Sequence, residues 1–224
     1  NQGWYFLQRG ILNRAAASAS YAVEAAKTSG NSNLFIEAEI LEAQVFHDSG
    51  DVARALEILE SLEAEQRSDL PRLQLEFHSL IGAIYLDVGA TGIALEHIRD
   101  AYEIARDALG AWDRSVAEYN LARAYARTGE LSQAREFFEQ ALQTSRSIND
   151  GLGVAYAQMR LAEIEHQQGN NDIALTLLDK TLPDFRDAAA HPMEAQSLLL
   201  KAEILLAEAR LASAKGVIDT TQSL

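Results

Sequence analysis

The sequence of 224 residues contains no cysteine. This absence excludes disulfide bonds, thiolate metal ligands and a cysteine nucleophile. Proline occurs only three times, and no stretch rich in proline, glycine or serine divides the chain, so we expect one continuous array. No apolar run approaches the roughly 18 residues of a membrane-crossing helix. We therefore predict no membrane insertion, and a cytoplasmic location is our working expectation.

Basic residues are also few, since 19 lysines and arginines face 33 aspartates and glutamates, for a formal net charge of −14. Such a surface repels phosphate backbones, so we predict no nucleic-acid binding through this region. The acidic excess favours solubility, and a basic partner is the functional alternative. Hydrophobic residues make up 48% of the chain, which is typical of a folded domain and too high for disorder.

What the chain does contain is a repeat of about 40 residues. Four glycine turns mark it, at Gly50, Gly89, Gly129 and Gly169, and the same interval leads back to Gly10 and forward to Ala209. Small residues recur five positions after the turn position, at Ala15, Ala55, Ala94, Ala134, Ala174 and Ala214, and seven before it, at Gly3, Ala43, Gly82, Ala122, Ala162 and Ala202. Four positions before the turn stand Phe6, Phe46, Tyr85, Tyr125, Glu165 and Leu205, and nine positions after it stand Ala19, Leu59, Ile98, Phe138, Leu178 and Ile218. All of these except Ala19 are larger residues.

Spacings of three and four residues place each small residue and its large neighbour on one helix face. Each repeat is therefore predicted to be two amphipathic helices joined at the glycine, which can take the positive φ that ends the first helix. Small residues on the facing surfaces let the helices approach closely. Sustained polar/apolar alternation is absent, so no strand is predicted. The predicted fold class is an all-α solenoid of antiparallel helix pairs.

This pattern resembles the tetratricopeptide repeat family, whose first helix carries a leucine–small pair and an aromatic, and whose second helix carries alanines around an aromatic or aliphatic residue. The copy most similar to it has Leu121-Ala122, Tyr125, Gly129-Glu130, Ala134, Phe138 and Ala141. The period exceeds the usual 34 residues and is similar to the long-repeat subclass of Pins-type scaffolds, kinesin light chains and maltose-activator-type regulators. The resemblance implies a right-handed superhelix. In the fifth repeat Glu165 replaces the aromatic residue.

We expect a single array over residues 1–224, with repeats at about 36–74, 75–114, 115–154 and 155–194 and partial repeats at 1–35 and 195–224. A turn near Ala209, where the glycine is missing, would leave the chain's end inside a second helix. Because neither end has the polar cap that solenoids usually need, we expect the chain to be a piece of a longer protein.

We predict neither a catalytic centre, a metal site nor a cofactor. His47 and His166 share a repeat phase but stand three repeats apart, and His78, His97 and His191 are scattered along the sequence, whereas zinc needs three or four convergent ligands. Glutamates at helical spacing suit solvated faces rather than the closed cleft of a hydrolase. Nothing in the sequence indicates an enzyme.

In the family, first helices line a concave groove, and the resemblance implies which residues line it here. The strongest candidates are Gln44, His47, Leu86, Tyr119, Asn120, Arg123, Arg127, Met159, Arg160 and His166; Ile40, Ser79, Ala83, Asp87 and Leu199 belong to the same lining. The arginines suit carboxylates, so we hypothesise that Tyr119, Asn120, Arg123, Arg127 and Arg160 hold an acidic or C-terminal stretch of a partner. The alternative is that these arginines pair with neighbours such as Glu163.

The function that we predict is a non-catalytic protein- or peptide-binding scaffold, the sensing or docking region of a larger regulatory protein. Two alternatives stay open at this point. The chain can self-associate through exposed apolar groove residues such as Ile40, Leu86 and Leu199, or it can sense a small molecule. Sedimentation across concentrations and ligand-dependent melting respectively would identify them.

Overall fold

The computed structural model describes residues 11–65 and 69–222, with side chains described over 11–63 and 69–209. These residues form only α-helices and their connecting turns, which confirms the all-α class. The ten helices are α1 Leu12–Ser29, α2 Ser32–Asp48, α3 Val52–Glu65, α4 Pro71–Asp87, α5 Thr91–Ala108, α6 Ala111–Thr128, α7 Leu131–Ser147, α8 Gly151–Gln167, α9 Asn171–Asp187 and α10 His191–Gln222. The repeat positions Gly3, Phe6 and Gly10 lie outside the described residues.

The glycine turns have the backbone that the sequence predicts. Gly50, Gly89, Gly129 and Gly169 all have φ between +81° and +86°, the left-handed region that residues with a Cβ rarely adopt. At every turn the N–H of the residue after the glycine donates to the carbonyl five residues earlier, at 2.8–2.9 Å. This bond satisfies a carbonyl that the end of the helix would otherwise leave unpaired. The same local geometry therefore ends each first helix.

Small residues form the close contacts between paired helices. Ala55, Ala94, Ala134 and Ala174 are completely buried. A methyl group on Gly82 would lie only 2.6 Å from Cγ1 of Ile98, so α4 and α5 approach more closely there than alanine would allow. The large residues of the repeat fill the space beside these contacts, with Leu59, Phe138 and Leu178 at most 1% exposed.

The chain falls into two compact units, the first ending at Glu130 and the second starting at Leu131. In the first unit each helix packs on the next one, and the first helices α2, α4 and α6 also contact one another. In the second unit α7, α8, α9 and α10 pack in sequence, with α8 also touching α10. Each unit has its own core, around Ile81 and Ile84 in the first and around Phe185 in the second. The single array over 1–224 stays a prediction.

Two local expectations were wrong. α10 runs without interruption from His191 to Gln222, so no turn forms at Ala209, where alanine replaces the glycine that can end a helix in the left-handed region. The side chains of Ala214 and Ile218, which the repeat assigns to a second helix, lie outside the described residues. Ala202 is exposed rather than buried, because no second helix folds back onto α10 among the described residues.

Candidate functional site

The first helices of the first unit bring several predicted groove residues to one surface. A depression of about 250 Å³ lies between α2 and α4, and we call it the α2–α4 depression. Its lining includes residues from both helices at the positions that the repeat assigned to the groove: Ile40, Gln44, His47, Ser79 and Ala83, together with Glu76 and Leu80. These five predicted lining positions of α2 and α4 therefore share one depression, and the groove along all the first helices stays a prediction.

Glu76 gives this depression an acidic side chain whose charge is held partly inside the protein. Burial raises the pKa of the Glu76 carboxyl above its usual range, and the nearby Arg72 guanidinium, which donates to it at 3.2 Å, opposes the shift. Arg72 also pairs with Asp113 of α6. Arg72 is thus shared between Glu76 of α4 and Asp113 of α6, and Glu76 is the one acidic side chain among the residues that line the depression.

A polar ladder joins the ends of the three first helices. Asp87 of α4 accepts from His47 Nε2 of α2 at 3.0 Å and from Arg127 Nη1 of α6 at 3.1 Å. The three residues follow one another at intervals of 40 positions, so they occupy the same place in successive repeats. The two carboxylate oxygens of Asp87 therefore tie the neighbouring repeats together, and the positive charge of Arg127 already has an internal partner.

We call one face of α6 the α6 basic surface; it consists of Tyr119, Asn120, Arg123 and Arg127. Its second arginine, Arg123, is not bound to a carboxylate of the described residues as Arg127 is. Arg123 is exposed and lies over the ring of Tyr119, with its guanidinium carbon 5.9 Å from the ring centroid. Within the described part of the chain no carboxylate forms an ion pair with Arg123. Asn120, half-buried beside it, makes no side-chain hydrogen bond to any described residue.

The second unit holds the other predicted groove residues. Arg160 donates to both carboxylate oxygens of Glu163, at 2.7 and 2.9 Å, which is the neighbour pairing that the sequence left open. His166 Nδ1 contacts Asn171 Oδ1 at 2.8 Å, so this ring is held at the start of α9. The hypothesis that Arg160 joins the α6 basic surface in binding a partner stays a prediction.

Three apolar residues do not have the exposure that a groove lining requires. Met159 is fully buried in the core of the second unit, and Ile40 and Leu86 are only 1% and 6% exposed. Their side chains pack between helices, because first helices contact one another as well as their own second helices. Leu86 and Met159 therefore contribute core packing, and Ile40 offers little more than an edge of the α2–α4 depression. Leu199, in contrast, is 70% exposed.

The expectation that the histidines are scattered is wrong for one pair. His78 of α4 and His97 of α5 face each other, with their Nδ1 atoms 3.1 Å apart, and Asp100 Oδ2 lies 3.8 Å from His78 Nδ1. The repeat contained a signal for this contact. His78 lies one turn before Gly82 on the first helix, and His97 lies one turn after Ala94 on the second helix. Because the two helices are antiparallel, these positions face each other. Sequence distance along the chain concealed this neighbourhood.

The comparisons with known proteins agree with this geometry. Residues 74–147 match the family model described as tetratricopeptide repeat. Over these residues the helix pairs are similar to tetratricopeptide repeats. The match covers α4 to α7, the region whose residues follow the family pattern most completely. No curated protein matches the sequence significantly.

Several solved structures have the same fold at low sequence identity. BtubC (BKLC) from P. vanneervenii superposes with a TM-score of 0.72 at 20% identity, over 94% of this chain and 89% of that one. A signal transduction ATPase with numerous domains from Pyrococcus horikoshii, which has a tetratricopeptide repeat sensor, superposes with a TM-score of 0.78 at 14% identity. The match covers 99% of this chain and 35% of the ATPase. A Rap protein complexed with competence and sporulation factor superposes with a TM-score of 0.69 at 20% identity, over 98% of this chain and 66% of the Rap protein. These likenesses support an all-α helical-repeat solenoid as the fold class.

None of the described helices is both long and apolar enough to cross a bilayer. Clusters that could bear chemistry are similarly limited: among the described residues, a single group of three histidine or acidic side chains converges closely enough to hold a metal, and it is the group around His78 and His97.

Proposed function

We propose that this chain is a non-catalytic scaffold that binds a polypeptide on the first-helix face of its tetratricopeptide repeats, as the sensing or docking region of a larger regulatory protein. Two similar folds support a sensing role by analogy: the repeat region of the P. horikoshii ATPase is described as a sensor, and the Rap structure holds competence and sporulation factor. The partner that the chemistry favours is an acidic or C-terminal segment of a protein.

The observation that carries this proposal is the state of Arg123. Its guanidinium is exposed, lies over Tyr119, and has no carboxylate partner among the described residues, although the chain as a whole is strongly acidic. The protein has 33 acidic residues and 19 basic ones, and most arginines in its described part form an ion pair with a carboxylate. The Arg123 guanidinium and the Asn120 amide, neither of which is paired with a carboxylate among the residues that the structure describes, offer planar donors to an incoming carboxylate.

Arg127 is expected to assist rather than lead. Its hydrogen bond to Asp87 neutralises part of its charge, but one turn of helix separates it from Arg123, so both lie on one face of α6. A peptide carboxylate at Arg123 therefore feels a second cation nearby. The α2–α4 depression has room for a side chain of an extended peptide, and its acidic Glu76 favours a neutral or basic side chain there.

The experiment is a screen of a peptide library with free C-terminal carboxylates against the purified chain, followed by fluorescence anisotropy with the peptides recovered. Arg123→Glu should weaken the binding of those peptides by at least about tenfold, since loss of one charge-assisted contact and a new repulsion together exceed about 1.4 kcal/mol. Amidating the peptide's C-terminus should weaken binding of the unmodified protein to a similar degree when the terminal carboxylate is the group held.

The matched control is Arg146→Glu, the same charge reversal at an exposed arginine on the second helix α7. It changes the net charge identically and should leave the affinity nearly unchanged. Equal losses in both variants would mean that peptides respond to overall charge alone, and unchanged binding in Arg123→Glu would remove the α6 basic surface from the proposal.

Self-association is the second candidate, and one feature of α10 favours it. Leu198, Leu199, Leu205 and Leu206 are between 46% and 70% exposed and lie on one side of the helix, seven residues apart in pairs. An apolar stripe of this kind buries well against another helix. Sedimentation velocity over a concentration series tests it: a dimer that dissociates when Leu199 and Leu206 are changed to Glu supports the second candidate, and a concentration-independent monomer rejects it.

A further inference from the structure

We propose that His78, His97 and Asp100 form a binding site for a divalent transition-metal ion of the zinc class, between the two helices of one repeat in the first unit. The site lies outside the α6 basic surface and the α2–α4 depression, since His78 and Asp100 line a different pocket, to which α2, α3, α4 and α5 all contribute. Each of the three residues offers one ligand atom, and all three atoms lie within 4.8 Å of one another.

The distances suit a tetrahedral ion. Zinc binds imidazole nitrogen at about 2.0–2.1 Å, so two ligand atoms of a tetrahedral site stand about 3.3 Å apart. The His78 and His97 Nδ1 atoms are 3.1 Å apart, and His78 Nδ1 is 3.8 Å from Asp100 Oδ2. Side-chain rotations that bring all three ligand atoms, now within 4.8 Å of one another, to this separation would place them on corners of one tetrahedron.

The two rings are held in place by packing rather than by chance contact. His97 is 8% exposed and stacks on Tyr85, with ring centroids 5.8 Å apart and planes inclined by 7°. Phe77 packs edge-on against both histidines. Tyr85 is itself fixed by donating to Glu60 Oε1 at 2.8 Å. Rigid, oriented ligands lower the cost of assembling a metal site.

The ligands occur on elements whose register is set by the repeat. His97 and Asp100 are one helical turn apart on α5, so both face the same way. His78 is brought opposite them because Gly82, one turn further along α4, allows the close approach to Ile98. Without a metal, one ring donates a proton to the other across the same 3.1 Å; a bound ion replaces that proton.

The pocket beside these residues is open to solvent, and its acidic side chains attract a cation. His78 and Asp100 line a pocket of about 310 Å³, and Glu63 and Glu103 line the same pocket. Asp100 is 56% exposed at its side chain, so the ion is reached from solvent. A tetrahedral zinc site can have three protein ligands, which leaves the fourth coordination position for water or for a carboxylate of a bound partner.

The test uses the untagged chain, stripped with a chelator, and Zn²⁺ or Co²⁺ as the only added ligand. We expect one equivalent of Zn²⁺ to bind in isothermal titration calorimetry, a rise in melting temperature, and the intense visible absorption of tetrahedral Co²⁺. His78→Ala and Asp100→Asn should each weaken binding by about tenfold or more. Asp100 is exposed, so its variant keeps the test informative if a histidine variant fails to fold.

The control is His191→Ala, which removes an exposed histidine at the start of α10 and should leave affinity and stoichiometry unchanged. Absence of a stoichiometric site in the unmodified chain would overturn the proposal and leave a histidine–histidine hydrogen bond. Equal weakening by His191→Ala and His78→Ala would overturn it as well, because it would mean diffuse binding by surface groups.

Discussion

Adding one methyl group at Gly82 tests the packing on which the repeat depends. In a helix interior, glycine to alanine is normally worth about 1 kcal/mol of added stability. At Gly82 the new methyl would lie 2.6 Å from Ile98 Cγ1 and 3.3 Å from the backbone oxygen of Ala94. Because a branched side-chain stem and a backbone atom oppose it, overpacking costs about 1–3 kcal/mol, and we expect a net loss of about 1 kcal/mol.

The assay is urea unfolding followed by circular dichroism, with Gly92→Ala as the control, since nothing lies within 4 Å of a methyl group at Gly92 of α5. The control should be neutral or stabilising. In an Ile98→Ala background the obstructing carbon is gone, and Gly82→Ala should then stabilise the protein, so the sign of its effect reverses. A Gly82→Ala variant as stable as the control would refute the close-contact reasoning.

Three further predictions concern stability. Ala134→Phe, at a fully buried helix contact, should cost about 1–3 kcal/mol or more of unfolding free energy, whereas Ser132→Phe on the exposed side of α7 should be tolerated; equal effects would contradict the assigned faces. Hydrogen bonds from Arg135 and Asn170 lower the pKa of Glu165 from 4.5 against the opposing effect of burial, so its contribution is complete above about pH 4.5 and is lost as the pH falls through the folded-state pKa. Glu165→Gln should therefore cost about 2 kcal/mol at neutral pH and progressively less in acid, as measured by urea unfolding at a series of pH values; a constant difference would refute the assignment. Asp87→Ala should change the free energy of unfolding by less than about 1 kcal/mol, because the ladder is half-exposed and salt-screened, and a larger loss in chemical denaturation would mean that the ladder organises the first helices.

The fold was predictable because its determinants are local and repeated. A glycine that ends each first helix and an alanine that is buried in each second helix recur at a fixed interval, so Gly129 and Ala134 alone indicate what Gly169 and Ala174 do. α10 shows the limit of this reasoning. The sequence shows that the glycine is missing at position 209, but it does not show that the helix then continues to Gln222.

Side-chain partnerships were much less predictable, because they depend on where long polar groups end in space. Glu165 looked like a defect in the aromatic position, yet it is buried and receives hydrogen bonds from Arg135 and Asn170. Arg127 looked available to a partner but bonds to Asp87. His78 and His97 looked unrelated, although the antiparallel register of α4 and α5 determined their meeting.

The burial of Leu86 and Met159 has a similar cause. The family pattern indicates which residues point from the first helices toward the groove, but it does not say how closely neighbouring first helices pack. Where they contact each other directly, an apolar residue at a lining position becomes core. Polar and charged residues at the same positions, such as Gln44 and Arg123, keep part of their surface, and they define the candidate site.

The most direct test of the binding role is an amide chemical-shift map recorded while a carboxylate-bearing peptide from the library screen is titrated into the chain. We expect the largest shifts on the first helices, at Tyr119, Asn120 and Arg123 of α6 and around Gln44 of α2. Shifts confined to α3 and α5, or to the exposed leucines of α10, would contradict it and place the partner on a different face.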